Sequence, residues 1–490
     1  MTLARSTAWT LLVGAGFALF AGSARAQPMA LPTKDSAAVG KVVEYRDIPR
    51  GGIPKEELKA AKENFAKFAK YYADVVAHPS VYKAPQEFKL PAPGTRVLSI
   101  DGPEGILQDL DRFVWEPGTG TRKVGPDQAV YARELGAALD ATFKKLIETD
   151  PEPIVRVNAA RVLAYICKGG STAHYATLTE LISNANTRTE VKYYLFHAAA
   201  NLLAASDPNW LKTRNHPGQT DDPKMVGALV KAIDDCITNP ALLVAGLPDN
   251  KADNATLDQL AVIRLVRRQA IKALAQVRYV VVTGPNGPLY PVYTLTRVAL
   301  TRGSLRDPDV VAFGDPKMFP APGPADAAEA VIGICNMAPA EAKGDRVVAV
   351  KYNADAAVEA VTFALVTFAR PRAEDAFDRK LPWRSYSLRI AEAIRNWRPL
   401  FDPDFDITLP NKFAAALVPV PLEELFKEVI PKILAPMDKV DGLGKPDAAS
   451  RVDIEWLETR LTGIRNNPKR STTMFPGNAQ TTIDFAPAKK

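Results

Sequence analysis

Apolar residues spaced alternately by three and four, broken at intervals by capping residues, run through most of this chain, and that period lays side chains along one stripe of an α-helix. Between residues 127 and 278 the stripe restarts repeatedly. It is carried by Leu135, Leu139, Phe143 and Leu146, then by Val155, Ala159, Val162 and Ile166, then by Tyr175, Leu178, Leu181 and Ile182. It continues with Val191, Leu195, Ala198 and Leu202, with Val226, Leu229, Ile233 and Ile237, and with Leu260, Ile263, Ala270 and Leu274. The breaks have their own chemistry. Asp150-Pro151 offers an N-cap followed by a proline suited to a first helical turn, and Asp222-Pro223 repeats it. Gly169-Gly170 suits a helix end, and Asn239-Pro240 is another stop. Thr187 to Glu190 and Thr256 to Gln259 read as capping boxes. A helix with one apolar stripe must bury it against a neighbour. The expectation is therefore all-α.

The flanks differ. Residues 1–26 read as a signal peptide: Arg5, an apolar run from Trp9 to Ala21, and Ala24-Arg25-Ala26 before the cleavage point. That run is shorter than the roughly 20 residues of a membrane span, and no later segment is long and apolar enough for one. Export to the periplasm or the medium of a bacterial cell follows, with a retained N-terminal anchor as the competing reading. Residues 27–53 are expected to be flexible. Residues 54–78 form an amphipathic helix whose stripe is Leu58, Ala61, Phe65, Phe68, Tyr72 and Val75. It either packs on the rest of the chain or meets a partner helix or a membrane surface. Residues 79–126 form a Pro/Gly-rich linker, with a short strand at Arg96–Ile100 and an apolar patch, Leu107 to Trp115, that docks on the helices.

After the repeats, residues 279–465 read as less regular helices. Val280 to Val282, the turn Gly284-Pro285-Asn286-Gly287 and Leu289 to Leu295 suggest a hairpin near 280–296, its second strand weakened by Pro291, or else a loop leading into a helix near Tyr293–Leu300. Helices are expected at Asp326–Asn336, with Asp326 as N-cap, and at Ala354–Ala369, Trp383–Trp397, Pro421–Leu434 and Ala448–Ile464. Residues 466–490 are expected to be a disordered tail.

Three stretches carry a resemblance. Asp150-Pro151 followed by Val155-Arg156-Val157-Asn158-Ala159-Ala160-Arg161-Val162-Leu163-Ala164 resembles the inner-helix motif of HEAT repeats. Val191-Lys192 with Ala198-Ala199-Ala200-Asn201-Leu202-Leu203 is a looser copy. Val266-Arg267-Arg268-Gln269-Ala270-Ile271-Lys272-Ala273-Leu274-Ala275 is a third. The spacing from Arg156 to Lys192 is a little under the usual period of about 40–47 residues. The resemblance, to the HEAT/armadillo-like superfamily, covers residues 127–278. It implies an α-solenoid of paired antiparallel helices, which binds other proteins along an extended face.

The formal charge of +7 is mild for 490 residues, and does not point to nucleic acid. Cys167, Cys236 and Cys335 read as small buried hydrophobes, with Cys167–Cys236 as the one conceivable bridge. Sequence motifs for metal, haem, phosphate-loop or serine-hydrolase chemistry are missing, so no catalytic residue, metal ligand or cofactor is assigned. His174, Glu190 and His197 are the one suggestive metal set, and a cap-proximal role for His174 and a packed one for His197 suit them better. The acidic stretch Asp101, Glu104, Asp109 and Asp111 lacks calcium-loop spacing and reads as a solvated loop. Arg264, Arg267, Arg268 and Lys272 place basic residues on two turns of one helix; a solvated face is the plainer account of them, and an anion or acidic partner the sharper one.

The leading expectation is an exported protein-interaction scaffold whose partner is another protein. Its partner-binding candidates are Leu58, Phe65, Phe68 and Tyr72 on the first helix and Arg264, Arg267 and Arg268 on the basic one. The alternatives are an enzyme with a site assembled within residues 280–350, and a peripheral envelope component using helix 54–77.

Overall fold

The structure is a computed structural model. It describes residues 31–48, 53–83, 99–101, 105–114, 129–205, 223–244, 247, 255–303, 309–343, 346–373, 383–397, 454–467 and 472–483. The signal-peptide segment 1–26, the strand expected at 96–100 (except Ser99 and Ile100) and the helix expected at 421–434 lie outside these residues.

The described residues are mostly helical. At the N-terminal end stand α1 (Ser36–Asp47), α2 (Leu58–Ala77), α3 (Pro79–Tyr82) and α4 (Ile106–Val114). Then come α5 (Ala129–Thr149) with α6 (Pro153–Ile166), α7 (His174–Ser183) with α8 (Thr189–Ala205), and α9 (Pro223–Thr238) with α10 (Leu257–Leu274). They are followed by α11 (Pro291–Leu300), α12 (Pro324–Cys335), α13 (Ala354–Ala373), α14 (Trp383–Trp397) and α15 (Ile454–Arg465). Packing follows chain order. The even-numbered helices form one row, α6 on α8, α8 on α10, α10 on α12 and α12 on α14. The odd-numbered helices from α5 to α15 form the other, and α5–α6, α7–α8, α9–α10 and α11–α12 pack within their pairs. Ala159, Ala160, Ala198, Ala199, Ala270 and Ala273 are fully buried; side chains this small let adjacent helix backbones approach closely.

Two buried cations at matching motif positions tie successive pairs. Lys192 at the start of α8 is buried and donates Nζ to Leu242 O at 2.5 Å, in the connection between α9 and α10. Arg267 on α10 is buried and donates Nη1 to Met318 O at 3.1 Å and Nη2 to Pro320 O, in the connection between α11 and α12. Each cation satisfies carbonyls that burial would leave without a donor. Arg156, the residue at the same motif position on α6, turns back to Asp150 O instead.

Several boundaries move from the sequence expectation. Asp150 accepts from Glu152 N at 2.9 Å as a turn, so Glu152 is the N-cap and Pro153 opens α6. Thr187 donates to Leu181 O at 2.8 Å rather than capping, and α8 begins at Thr189. The Thr256–Gln259 capping box forms in both directions, at 3.3 and 2.9 Å. Asp326 is not the N-cap of α12: Gly323 holds that place, and Asp326, three residues on, accepts Gly323 N at 2.9 Å.

A small mixed sheet interrupts the helices. β1 (Tyr279–Gly284) turns through Pro285-Asn286 into β2 (Gly287–Leu289), with Gly287 at φ 128°, a conformation that needs glycine. The hairpin and the alternative helix are both present: the second strand ends at Leu289, and Pro291 opens α11. β3 (Arg302–Gly303) and β4 (Val311–Phe313) pair separately. β5 (Ala338–Lys343) lies parallel to β1 and antiparallel to β6 (Arg346–Ala349), giving the order β2-β1-β5-β6. α11 and α12 form the crossover between the parallel strands, as such a connection requires.

Three segments expected to lack order are built into the core. Residues 36–47, within the stretch expected to be flexible, form α1, where Val42 and Tyr45 are buried and Tyr45 meets Phe65 edge-on at 5.8 Å. In the Pro/Gly-rich stretch, proline-free residues 106–114 form α4, which buries Leu110 and Phe113. Its Asp109 accepts from Lys34 and Tyr72, each at 2.6 Å, and these bonds outweigh burial to hold the carboxyl below its usual range. In the expected tail, residues 472–483 fold back through the Thr473–Thr482 bridge. Met474 and Phe475 are buried, Phe475 against Tyr290 and Tyr352, and Met474 O accepts Asn353 N at 2.7 Å. No helix among the described residues is long and apolar enough to cross a membrane.

Candidate functional site

The aromatic stripe of α2 is interior. Phe65 is 0%, Phe68 1% and Tyr72 1% exposed, while Leu58 is half-buried at the start of the helix. Phe68 sits edge-on to Phe113 at 4.6 Å, and Phe65 to Tyr131 at 5.6 Å. The stripe is thus covered by α1, α4 and α5 of the same chain. It is not a surface for a partner helix or a membrane, which corrects both of those readings.

The basic residues of α10 divide. Arg267 points into the core, where burial lowers its pKa to about 10, and it is spent on backbone carbonyls. Arg264, Arg268 and Lys272, one turn apart, line an adjoining, more exposed side of the helix and meet acids from later elements. Arg264 pairs with Asp309. Arg268 Nε donates to Asp326 Oδ1 at 2.7 Å. Lys272 Nζ stands 3.6 Å from Glu329, which also takes both Nη groups of Arg389 on α14, at 2.8 and 2.7 Å. The acids lie beneath the cations. Asp326 and Glu329 are 0% and 1% exposed, whereas Arg268, Lys272 and Arg389 are 26%, 35% and 42% exposed. Burying such carboxylates demands partners of this kind.

α8 continues this face. His197 lies against Tyr193, ring centres 4.9 Å apart, and its buried Nε2 has no hydrogen-bond partner among the described residues. Burial and the nearby Lys272 charge lower its pKa, which favours the neutral imidazole. The set His174, Glu190 and His197 is not assembled: His174 Nδ1 bonds buried Asp140 at 2.7 Å and Glu190 pairs with Arg188. The three cysteines are free and buried, so Cys167 and Cys236 do not pair. Among the described residues no group of three His, Cys, Asp or Glu side chains is placed to hold a metal ion.

A concave feature lies over the sheet, on the side of the odd-numbered helices. This cleft of about 830 Å³ is bounded by β1, β2, the start of α9 and the folded-back C-terminal segment. Val281, Tyr290, Val350 and Phe475 give it apolar walls, and Lys224, Glu341 and Lys351 its charge. Thr283 donates to Glu341 at 3.3 Å. The cleft falls partly within residues 280–350, but Lys224 and residues 475–478 come from far outside that window.

Compared with protein-family models, curated proteins and solved structures, the chain finds no match in any of the three.

Proposed function

We propose that this chain is an exported binding scaffold: an α-solenoid of paired antiparallel helices of the HEAT-like kind, interrupted by a small sheet, that offers its even-numbered row of helices to another protein. The observation that carries this reading is the repeated tie between pairs. Lys192 and Arg267, at matching motif positions, both reach the connection that enters the next even-numbered helix. A chain that repeats its contacts from pair to pair, each element touching its sequence neighbours, grows into an extended face suited to a macromolecule. Export rests on the Arg5, Trp9–Ala21 and Ala24-Arg25-Ala26 pattern.

Site-specific photo-cross-linking in cells tests it. Tyr193→p-benzoylphenylalanine on α8 is expected to give one discrete protein adduct in the envelope fraction, and Ala176→p-benzoylphenylalanine on α7 of the other row none. Adducts at both positions alike, or at Ala176 alone, would refute the assignment of the face.

The cleft over the sheet supports a second reading, in which this chain binds or converts a small molecule with an apolar body. Its volume lies within the range of small-molecule sites.

A further inference from the structure

The face formed by α8, α10, α12 and α14 has an asymmetry that says what kind of partner it takes. Asp326 and Glu329 are sealed under Arg268, Lys272 and Arg389, so a group approaching this part of the face meets guanidinium and ammonium first. Anchoring does not exhaust these cations. Arg268 uses Nε on Asp326, and its two Nη groups make no hydrogen bond among the described residues. Among the described residues Lys272 makes only the 3.6 Å contact to Glu329, longer than a hydrogen bond, and Arg389 already satisfies both oxygens of that carboxylate. A guanidinium held in place by a buried acid has lost its rotamer freedom before any ligand arrives, so a ligand bond costs less entropy. Beside Lys272, His197 Nε2 is buried without a partner, and Tyr193 flanks it.

Spacing then selects the ligand. Arg264, Arg268 and Lys272 follow one another at four residues, about 6 Å along the helix axis. Side chains on one face of an extended chain recur every two residues, about 6.6 Å. A strand-like segment with Asp or Glu at alternate positions therefore sets successive carboxylates on successive cations. We infer that this face docks an extended acidic segment of a partner protein, its carboxylates taken by Arg268 and Lys272 beside His197. The inference rests on the scaffold reading and names the partner's chemistry.

The test uses the full mature chain and a fluorescein-labelled peptide of alternating Glu and Ser, followed by fluorescence anisotropy at low salt. Binding is expected, weakening as salt rises. Lys272→Gln leaves the Arg389–Glu329 pair in place, so it is expected to keep the melting temperature while weakening the peptide by about fivefold. Lys231→Gln on α9 is expected to change nothing. On binding, the His197 ring is expected to titrate at higher pH, since a nearby carboxylate favours imidazolium. Equal binding of a Gln-Ser peptide, or equal affinity of wild type and Lys272→Gln, would overturn the proposal. So would complete displacement by inorganic polyphosphate at the same charge concentration, which would make the site one for polyanions in general. If Tyr193 still cross-links a protein while the acidic peptide fails to bind, the scaffold reading stands and this inference falls.

Discussion

Gly227→Ala is expected to cost more than about 3 kcal/mol and to leave little folded protein at 37 °C. Gly227 lies on α9 where that helix crosses β1. A Cβ there would stand 1.9 Å from Thr283 O and 2.8 Å from Gly284 Cα. Both are backbone atoms of a paired strand, so no side chain can swing aside. Overpacking a tight core costs about 1–3 kcal/mol even where neighbours relax, and here the helix or the strand must move as a body. Because β1 also carries β2 and β5, the damage spreads to the cleft. Thermal unfolding followed by circular dichroism reads the effect; a melting temperature within a degree or two of wild type would mean that α9 and β1 do not meet as described.

The second large effect concerns α2. Phe68→Ala is expected to destabilise the chain by about 3–5 kcal/mol, the usual cost of removing a buried aromatic ring. Phe68 is 1% exposed and touches the rings of Tyr72 and Phe113, at 4.8 and 4.6 Å. A helix standing free for a partner or a membrane would lose almost nothing. Chemical denaturation therefore separates the two: a midpoint shift with unchanged slope supports interior packing, and an unshifted midpoint returns α2 to the surface.

Much of the helical fold was legible because a stripe of period three to four has one simple solution. Trp383–Trp397 was placed to the residue, and α10 opened at its Thr256 cap. The sheet was half legible. Val280 to Val282 announced β1, but β5 is Ala338-Pro339-Ala340-Glu341-Ala342-Lys343, residues depleted in strands. It is a strand only because α11 and α12 return the chain beside β1. The α2 stripe is plainly apolar in the sequence, yet periodicity does not say whose surface covers it. On α10 the basic residues were visible, but Arg264, Arg267 and Arg268 looked alike. Only the positions of Met318, Pro320, Asp326 and Glu329, far along the chain, send one guanidinium inward and leave the others outward. Nor did the polar tail announce its return, although Met474-Phe475 before Pro476-Gly477 was an available signal.

Distances between spin labels along the even-numbered row test the stack most directly. With one label at Arg161 on α6 and a second at Tyr194 on α8, Lys272 on α10 or Arg389 on α14, the separation is predicted to grow with every helix crossed, by about 10 Å each. A separation for Arg389 no longer than that for Lys272 would mean that the helices close into a bundle, and would contradict the account.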